Sequence, residues 1–505
     1  METGVIVSLT AYFTAMLGIG LWAWRRASED ISGYLLGGRR LGPAVAALSA
    51  GASDMSGWLL LGLPGAAYVA GLSAGWIAIG LFIGALANYL IVAPRLRVHT
   101  ERTRDSITIP EFFENRFEDG SHALRIIASL VIIIFFTLYT SSGLVAGGKL
   151  FQSAFGADYS LGLWLTAGVV VAYTLFGGFL AVSLTDFVQG TIMFVALILV
   201  PVVAFGELGG GLGADIASVN PDALDLLAGT TAIGIVSSMA WGLGYFGQPH
   251  IIVRFMAVRS VRDIPAMRNI GMSWMLATLI GALATGFVGL AYVTRNGLSL
   301  EDPETVFILL SQTLFHPLVT GFLLAALLAA IMSTISSQLL VSSSSLTEDF
   351  YRIFVHREAS QRELVTVGRI CVVAVALAAI LLAYSPESNI LGLVANAWAG
   401  FGAAFGPVVI LSLTWKRLTR NGALAGILVG AATVLFWIYA PVLEGGAALS
   451  SLLYEIVPGF VLGGLAAILV SLAGPRPPES VLRTFEESEA ERRAASGARD
   501  RTRTA

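Results

Sequence analysis

Residues 49–65 read SAGASDMSGWLLLGLPG. The run lies inside a longer apolar stretch, yet it holds a carboxylate (Asp54), four glycines and Pro64. Glycine and proline weaken a helix, and a carboxylate is costly at membrane depth. The run therefore reads as a helix that unwinds part-way across a bilayer. Irregular backbone at that depth is tolerated only where it is buried in protein or lines a cavity. Unwinding frees carbonyls, which are good ligands for a hard cation such as sodium. Asp54 is open to two compatible readings, a functional ionisable group or a brace for backbone that the glycines free.

The rest of the chain makes bilayer depth the expected setting. Of 505 residues 56% are hydrophobic and only 12% charged, too little charge to cover a soluble protein of this length, so an all-α integral membrane protein is expected. A net charge of −3 gives no basic face for nucleic acid, and one cysteine, Cys371, allows no intramolecular disulfide. No GxxxxGK[ST] phosphate loop occurs, so neither ATP as energy source nor an organic cofactor is expected.

A span needs about 20 apolar residues. Thirteen are expected: 4–24, 45–70, 74–94, 123–150, 160–180, 184–206, 231–256, 270–294, 316–346, 366–384, 389–413, 421–441 and 452–473. The first is long enough to span and has no basic residues before it, so it reads as a span and not a cleaved leader.

Basic residues crowd alternate loops: Arg25, Arg26, Arg39 and Arg40; Arg95, Arg97, Arg102 and Arg104; Arg254, Arg259, Arg262 and Arg268. Further groups are Arg352, Arg357, Arg362 and Arg369, then Lys416, Arg417 and Arg420. The connection 206–229 carries Glu207, Asp215, Asp222 and Asp225 with no lysine or arginine, while Lys149 and Arg295 sit at helix ends where they can snorkel. The N-terminus is expected outside and the C-terminus inside. The polar tail after Pro475 reads as a partly helical or disordered, solvated cytoplasmic extension.

A second interrupted span, TAIGIVSSMAWGLGYFGQPHIIVRFM (231–256), is cut by Gly242, Gly244, Gly247 and Pro249, with Trp241, Tyr245, Phe246 and Gln248 around the cut. Broken helices five spans apart suggest an inverted repeat of five plus five helices, with substrate and ion held at the repeat interface. The expected parts are a first helix and loop (1–44), repeat one (45–206), an outer loop (207–230), repeat two (231–413), two further spans (414–473) and the tail (474–505).

In span nine, LLAALLAAIMSTISSQLLVSSSSL, Ala330 lies one turn before the neighbours Ser333 and Thr334, so its carbonyl and their hydroxyls fall close together. Ser342 to Ser345 read as hydroxyls bonding the carbonyl a turn back. Among other charges, Asp186 begins span six, and Glu348 and Asp349 end span nine at the interface.

SAGASDMSGWLLLGLPG, FFTLYTSSGLVAGGKLF, GGFLAVSLTDFVQG, WGLGYFGQPHIIVRFMA and AAIMSTISSQLLVSSSSLTEDFY together resemble the solute:sodium symporter family, over nearly the whole chain. The first, fourth and fifth are similar to its proline-transporting branch, and the sugar and sialic acid branches differ there. The resemblance implies the inverted-repeat fold typified by the bacterial leucine transporter, with one helix before the repeats and two after.

It also implies a sodium site from the carbonyls of Ala52, Met55 and Ala330 and the hydroxyls of Ser333 and Thr334. Asp54 is then essential for sodium-dependent transport, with Ser53, Ser56 and Gly57 completing the unwound segment. L-Proline would be held by Trp58, Tyr139, Trp241 and Tyr245, with Gln248, Ser56 and Gly57 nearby. An aromatic cage suits a small apolar ring and its ammonium, and free amides at a helix break suit its carboxylate. Asp186 matches a motif that forms a second cation site in some relatives, and Arg39 matches an arginine tied to ion coupling, though it equally suits a topology-setting role.

The expected activity is sodium-coupled import of L-proline across a bacterial inner membrane by alternating access. The rivals are a same-fold symporter for another small carboxylate-bearing solute, proton coupling through Asp54, and a membrane sensor, for which the tail holds no kinase-like segment. A membrane enzyme is disfavoured by the lack of a His/Glu metal set or a Ser/His pair.

Overall fold

The computed structural model describes residues 2–26, 30–384, 390–443 and 446–503. In a bilayer every backbone polar group must find its partner within the protein, and a helix does so locally. Among the described residues the regular structure is helical, and one isolated bridge joins Leu41 to Val258.

The chain runs through α1 (Thr3–Arg26), a short α2 (Ile31–Leu36) and α3 (Pro43–Asp54). α3 begins on a proline, whose fixed φ and missing N–H suit a first turn. Its helix stops at Asp54, a tight turn follows at Gly57–Leu59, and α4 (Gly62–Ala70) resumes the path. The interruption expected within 45–70 is therefore present.

Next come α5 (Gly75–Arg102), α6 (Ile109–Phe117), α7 (Ala123–Phe155), α8 (Tyr159–Leu208) and α9 (Leu212–Val219), the last inside the expected outer loop. α10 (Ala232–Met239) passes through a 3₁₀ segment, Ala240–Phe246, into α11 (Pro249–Ala257), the second expected break. α12 (Ile264–Arg295), α13 (Val306–Leu314) and α14 (Pro317–Ser344) follow, and α14 continues as a wider π-helix, Ser345–Val355. α15 (Gln361–Leu382), α16 (Ile390–Thr414), α17 (Arg420–Tyr439), α18 (Ile456–Ala473) and α19 (Glu479–Arg503) complete it. The expected span 389–413 starts one residue outside the described stretch.

Ten helical stretches among the described residues are long and apolar enough to cross a membrane. α8 has 50 residues, or about 75 Å of helix, against a hydrocarbon core of about 30 Å. At Gly178 (φ +54°, ψ −148°) its helical path is broken, and a Cβ there would come within 2.6 Å of the Tyr34 ring and carbonyl.

α14 is the axis of the packing, pressed by α1, α3, α7 and α8. A helix that is apolar on all sides belongs in a core. α5 lies against the second break, where a Cβ on Gly84 would collide with the Gly242 carbonyl.

Three expectations change. Glu348 and Asp349 are wholly buried in protein. Asp349 accepts from Arg125 Nε at 2.6 Å, Ser129 Oγ at 2.9 Å and Thr108 Oγ1 at 3.2 Å, and Glu348 pairs with Arg352 at 2.8 Å. Ser343 and Ser344 bond the carbonyls of Leu340 and Val341 as expected, but the buried hydroxyls of Ser342 and Ser345 have no partner.

The tail, expected to be solvated, is a helix docked on the protein. α19 buries Val481, Phe485 and Ser488. It pairs Glu487 and Glu491 with Arg102 (3.1 and 2.5 Å) and Glu486 with Lys416 (2.8 Å). Arg116 of α6 lies 5.0 Å above the Phe485 ring.

Candidate functional site

The end of α3 loosens by stages. Ser53 turns its hydroxyl back to the carbonyls of Ser49 (2.6 Å) and Ala50 (3.2 Å), a local bond that competes with the helix ladder. Ser56 adopts φ +29°, ψ −173°, a conformation rare outside glycine, and its Oγ accepts from the Trp58 amide at 3.2 Å. Gly57 lets α14 approach: a Cβ there would meet the Ile331 side chain at 2.9 Å.

That approach brings the oxygen-rich turn of α14 to the break. Ser333 Oγ donates to the Ala52 carbonyl at 2.7 Å and lies 3.1 Å from the Ala330 carbonyl, and Thr334 Oγ1 reaches the Ala330 carbonyl at 3.3 Å. Ala52, Ala330, Ser333 and Thr334 are thus in one buried cluster. The Met55 carbonyl, the fifth expected member, accepts from the Leu59 amide at 3.1 Å. Neutral hard oxygens in this number suit a monovalent cation, given rotation of the two hydroxyls so that lone pairs face it.

The second break faces the first. Tyr245 donates its hydroxyl to Asp54 Oδ2, so a side chain from each break meets in one hydrogen bond. Trp58 and Trp241 stack with centroids 5.6 Å apart and planes at 28°, and Tyr454 continues the stack beyond Trp241 at 5.4 Å. Asn88 of α5 holds the Tyr245 carbonyl at 3.0 Å.

Asp54, Met55, Ser56, Trp58, Tyr139 and Trp241, with Leu81, Val394 and Trp398, line a cavity of about 10 Å³, room for about one water. A second cavity of about 30 Å³ shares Asp54 and Met55 and is lined in part by Tyr245 and Asn88. The aromatic walls are therefore closed on one another here.

Three expected residues stand apart from the small cavity, the first being Tyr245, which lines the second one. Gln248 donates to the Trp398 carbonyl at 3.0 Å and lies behind the cage wall. Gly57 serves the approach of α14.

Asp186 does not stand alone. Its Oδ2 accepts from Ser49 Oγ at 2.7 Å and from Arg254 Nη2 at 3.1 Å. Arg254 also reaches Ser337 Oγ (2.6 Å), Ser49 Oγ (3.1 Å) and the His250 carbonyl (2.5 Å), over the Phe179 ring. It is 1% exposed. Grouping Arg254 with the loop arginines is corrected: it is a buried partner joining α11 to α3, α8 and α14. A signal existed, since the expected span 231–256 already contained it.

Arg39 (φ +53°) binds the Met256 carbonyl at 2.9 Å, the Ser106 carbonyl at 2.8 Å, Thr100 Oγ1 at 3.2 Å and Asp105 at 2.8 Å. Burial pulls its guanidinium below the ordinary value, and Asp105 opposes the shift. It ties the end of α11 to the loop after α5. Val394 and Trp398 were missed, since they lie in an apolar run, 389–413, that holds no charge.

A model of the sodium:solute symporter family matches residues 34–430. The osmoregulated proline transporter OpuE of Bacillus subtilis (strain 168) is 58% identical over 487 residues, 96% of this chain and 98% of its own. The high-affinity proline transporter PutP of the same strain is 58% identical, covering 94% and 98%. Sodium/proline symporter 2 of Staphylococcus saprophyticus is 53% identical, covering 95% of each. Among solved structures, a substrate-bound, outward-open sodium-coupled sialic acid symporter superposes with a TM-score of 0.80 at 20% identity, covering 95% of this chain and 99% of that one. The nucleobase–cation symporter Mhp1, in a closed form, gives 0.53 at 13% identity, covering 90% and 98%. The last two speak to fold alone.

Proposed function

Since the chain belongs to the sodium:solute symporter family, we propose that it imports L-proline with sodium by alternating access. The observation that carries this reading is the meeting of the two broken helices: Ser333 on the Ala52 carbonyl, and Tyr245 on Asp54 beside an aromatic cage. Relatives at 53–58% identity named as proline transporters and sodium/proline symporters support the substrate and the ion.

Sodium enters as co-substrate between the carbonyls of Ala52, Met55 and Ala330 and the hydroxyls of Ser333 and Thr334. Binding replaces the direct Ser333–Ala52 hydrogen bond with an ion bridge between α3 and α14. That fixes the unwound turn and, through Asp54, Tyr245. Trp58, Tyr139, Trp241 and Tyr245 then separate enough to hold the pyrrolidine ring. Free amides of the turn take the carboxylate, and ring faces or Asp54 take the ammonium. Each ligand raises the other's affinity by the same factor. Inward release of sodium gains about 2.3 kcal/mol per charge per 100 mV.

The architecture we propose has thirteen crossings, with repeats at 45–206 and 231–413. The ten long stretches become thirteen when α8 is divided at Gly178, when α3 with α4 counts apart from α5, and when α10 with α11 counts as one broken crossing. The alternation of basic loops supports an inner membrane with the N-terminus outside.

The test is radiolabelled L-proline uptake into proteoliposomes under an inward sodium gradient or with choline instead. Uptake only with sodium is expected. Equal uptake in both removes sodium from the mechanism, and a pH series at fixed sodium then tests Asp54 as a proton carrier. No uptake by folded protein overturns the substrate.

A further inference from the structure

α16 enters the site through one side chain that the sequence motifs did not single out. Trp398 is 2% exposed and touches the second break at Trp241, Gly244, Tyr245 and Gln248. Its indole N–H donates to the Trp241 carbonyl at 2.7 Å, a carbonyl in the 3₁₀ segment that α-helical bonding would otherwise occupy. Its own carbonyl accepts from Gln248 Nε2 at 3.0 Å. Its ring meets Tyr245 edge-on, centroids 5.2 Å apart and planes at 84°, and Tyr245 is the residue bonded to Asp54. The indole lies flush on the backbone at Gly244, where any Cβ would collide with it.

We propose that Trp398 is a positioning and size-selecting residue of the substrate cage. Resting on the reading of that cage as the proline site, it assigns α16 a defined task. The indole N–H sets the rotation of Trp241, and so of the Trp58–Trp241 stack. The ring edge sets where the Tyr245 hydroxyl points. With Val394, a turn earlier on α16, Trp398 lines the small cavity together with Ser56 and Tyr139. A five-membered imino acid fits once the stack parts, and a six-membered homologue meets the indole. One extra methylene is the difference an apolar wall can sense, by about tenfold or more.

The variant Trp398→Phe keeps a ring edge toward Tyr245 and deletes the N–H. The expected result, for full chain in proteoliposomes, is a proline KM raised about tenfold with maximal rate changed by less than about threefold. Competition by pipecolate, the six-membered homologue, should strengthen relative to proline by about tenfold. A purely structural tryptophan would instead lower folded yield and maximal rate, leaving KM and the analogue ranking unchanged. That outcome overturns the proposal.

Gln248→Met is read in parallel, since it removes the donor to the Trp398 carbonyl and leaves the indole in place. If Trp398→Phe does not fold, a raised KM in Gln248→Met supports the proposal and an unchanged KM overturns it. Wild type run alongside separates the two levels. Failure of wild type to transport proline overturns the reading of the cage, whereas normal wild type with unchanged variants overturns only the role of Trp398.

Discussion

Ser333 meets two carbonyls at once, Ala52 across the helix interface and Ala330 on its own helix. A hydroxyl so placed can turn from donor to ligand without moving its helix. Ser333→Ala should therefore raise the sodium concentration for half-maximal proline uptake about tenfold, with little change in inserted protein. Uptake titrated against sodium in vesicles of matched protein content checks it, and an unchanged half-saturation would remove Ser333 from the ion path. Arg254 and Asp186 pose a different problem, because each is a buried charge balanced mainly by the other. Asp186→Asn or Arg254→Gln alone should cost about 3–5 kcal/mol, seen as a lower melting temperature in detergent. The double variant should recover much of the loss, since it leaves neither charge alone. Additive losses would show that the pair is not a unit. The hydroxyls of Ser333 and Thr334 were legible in the sequence because they sit one turn from Ala330. The ion pair was not, because 68 positions separate its members and one counted as a loop residue.

At the scale of elements, the breaks were legible because glycine and proline mark them locally. What they pack against was not. Trp398 lay unnoticed because an apolar run holds no internal clue that one of its indoles bonds a carbonyl far away in the chain. The π-helix after α14 was equally silent, since widening a helix by one residue per turn needs no special composition. Close approach between elements gives its own test. Gly84 of α5 and Gly242 of the second break touch backbone to backbone. Gly242→Ala should drive α5 from the cage and cut proline uptake at least about tenfold. Proline binding measured by scintillation proximity on purified protein would separate this from poor insertion. Normal binding would mean that the interface yields.

For the whole molecule, the ten long apolar stretches among the described residues follow from composition, while the docking of α19 on α5 and α6 does not. α19 carries its glutamates against Arg102 and Lys416 and buries Phe485 between His99 and Arg116. Surface ion pairs weaken with salt, whereas the buried ring does not. Protease cleavage within 479–495 should be slow at low ionic strength and accelerate several-fold at about 0.5 M salt. Phe485→Ala should make it fast at both. A cleavage rate indifferent to salt and to Phe485 would mean that the helix does not hold this position in solution. Composition alone gave a polar tail, because its few apolar side chains are too sparse to announce a docking face.

The contact between Arg102 and Glu491 spans 389 positions. The ribosome has therefore made nearly the whole membrane domain before the acidic helix can reach the surface that α5 and α6 offer. Until then Arg102 lacks the two carboxylates that hold it in the folded protein. Docking of the helix is thus a late event in biogenesis, and a reporter on Glu491 would register the moment it occurs.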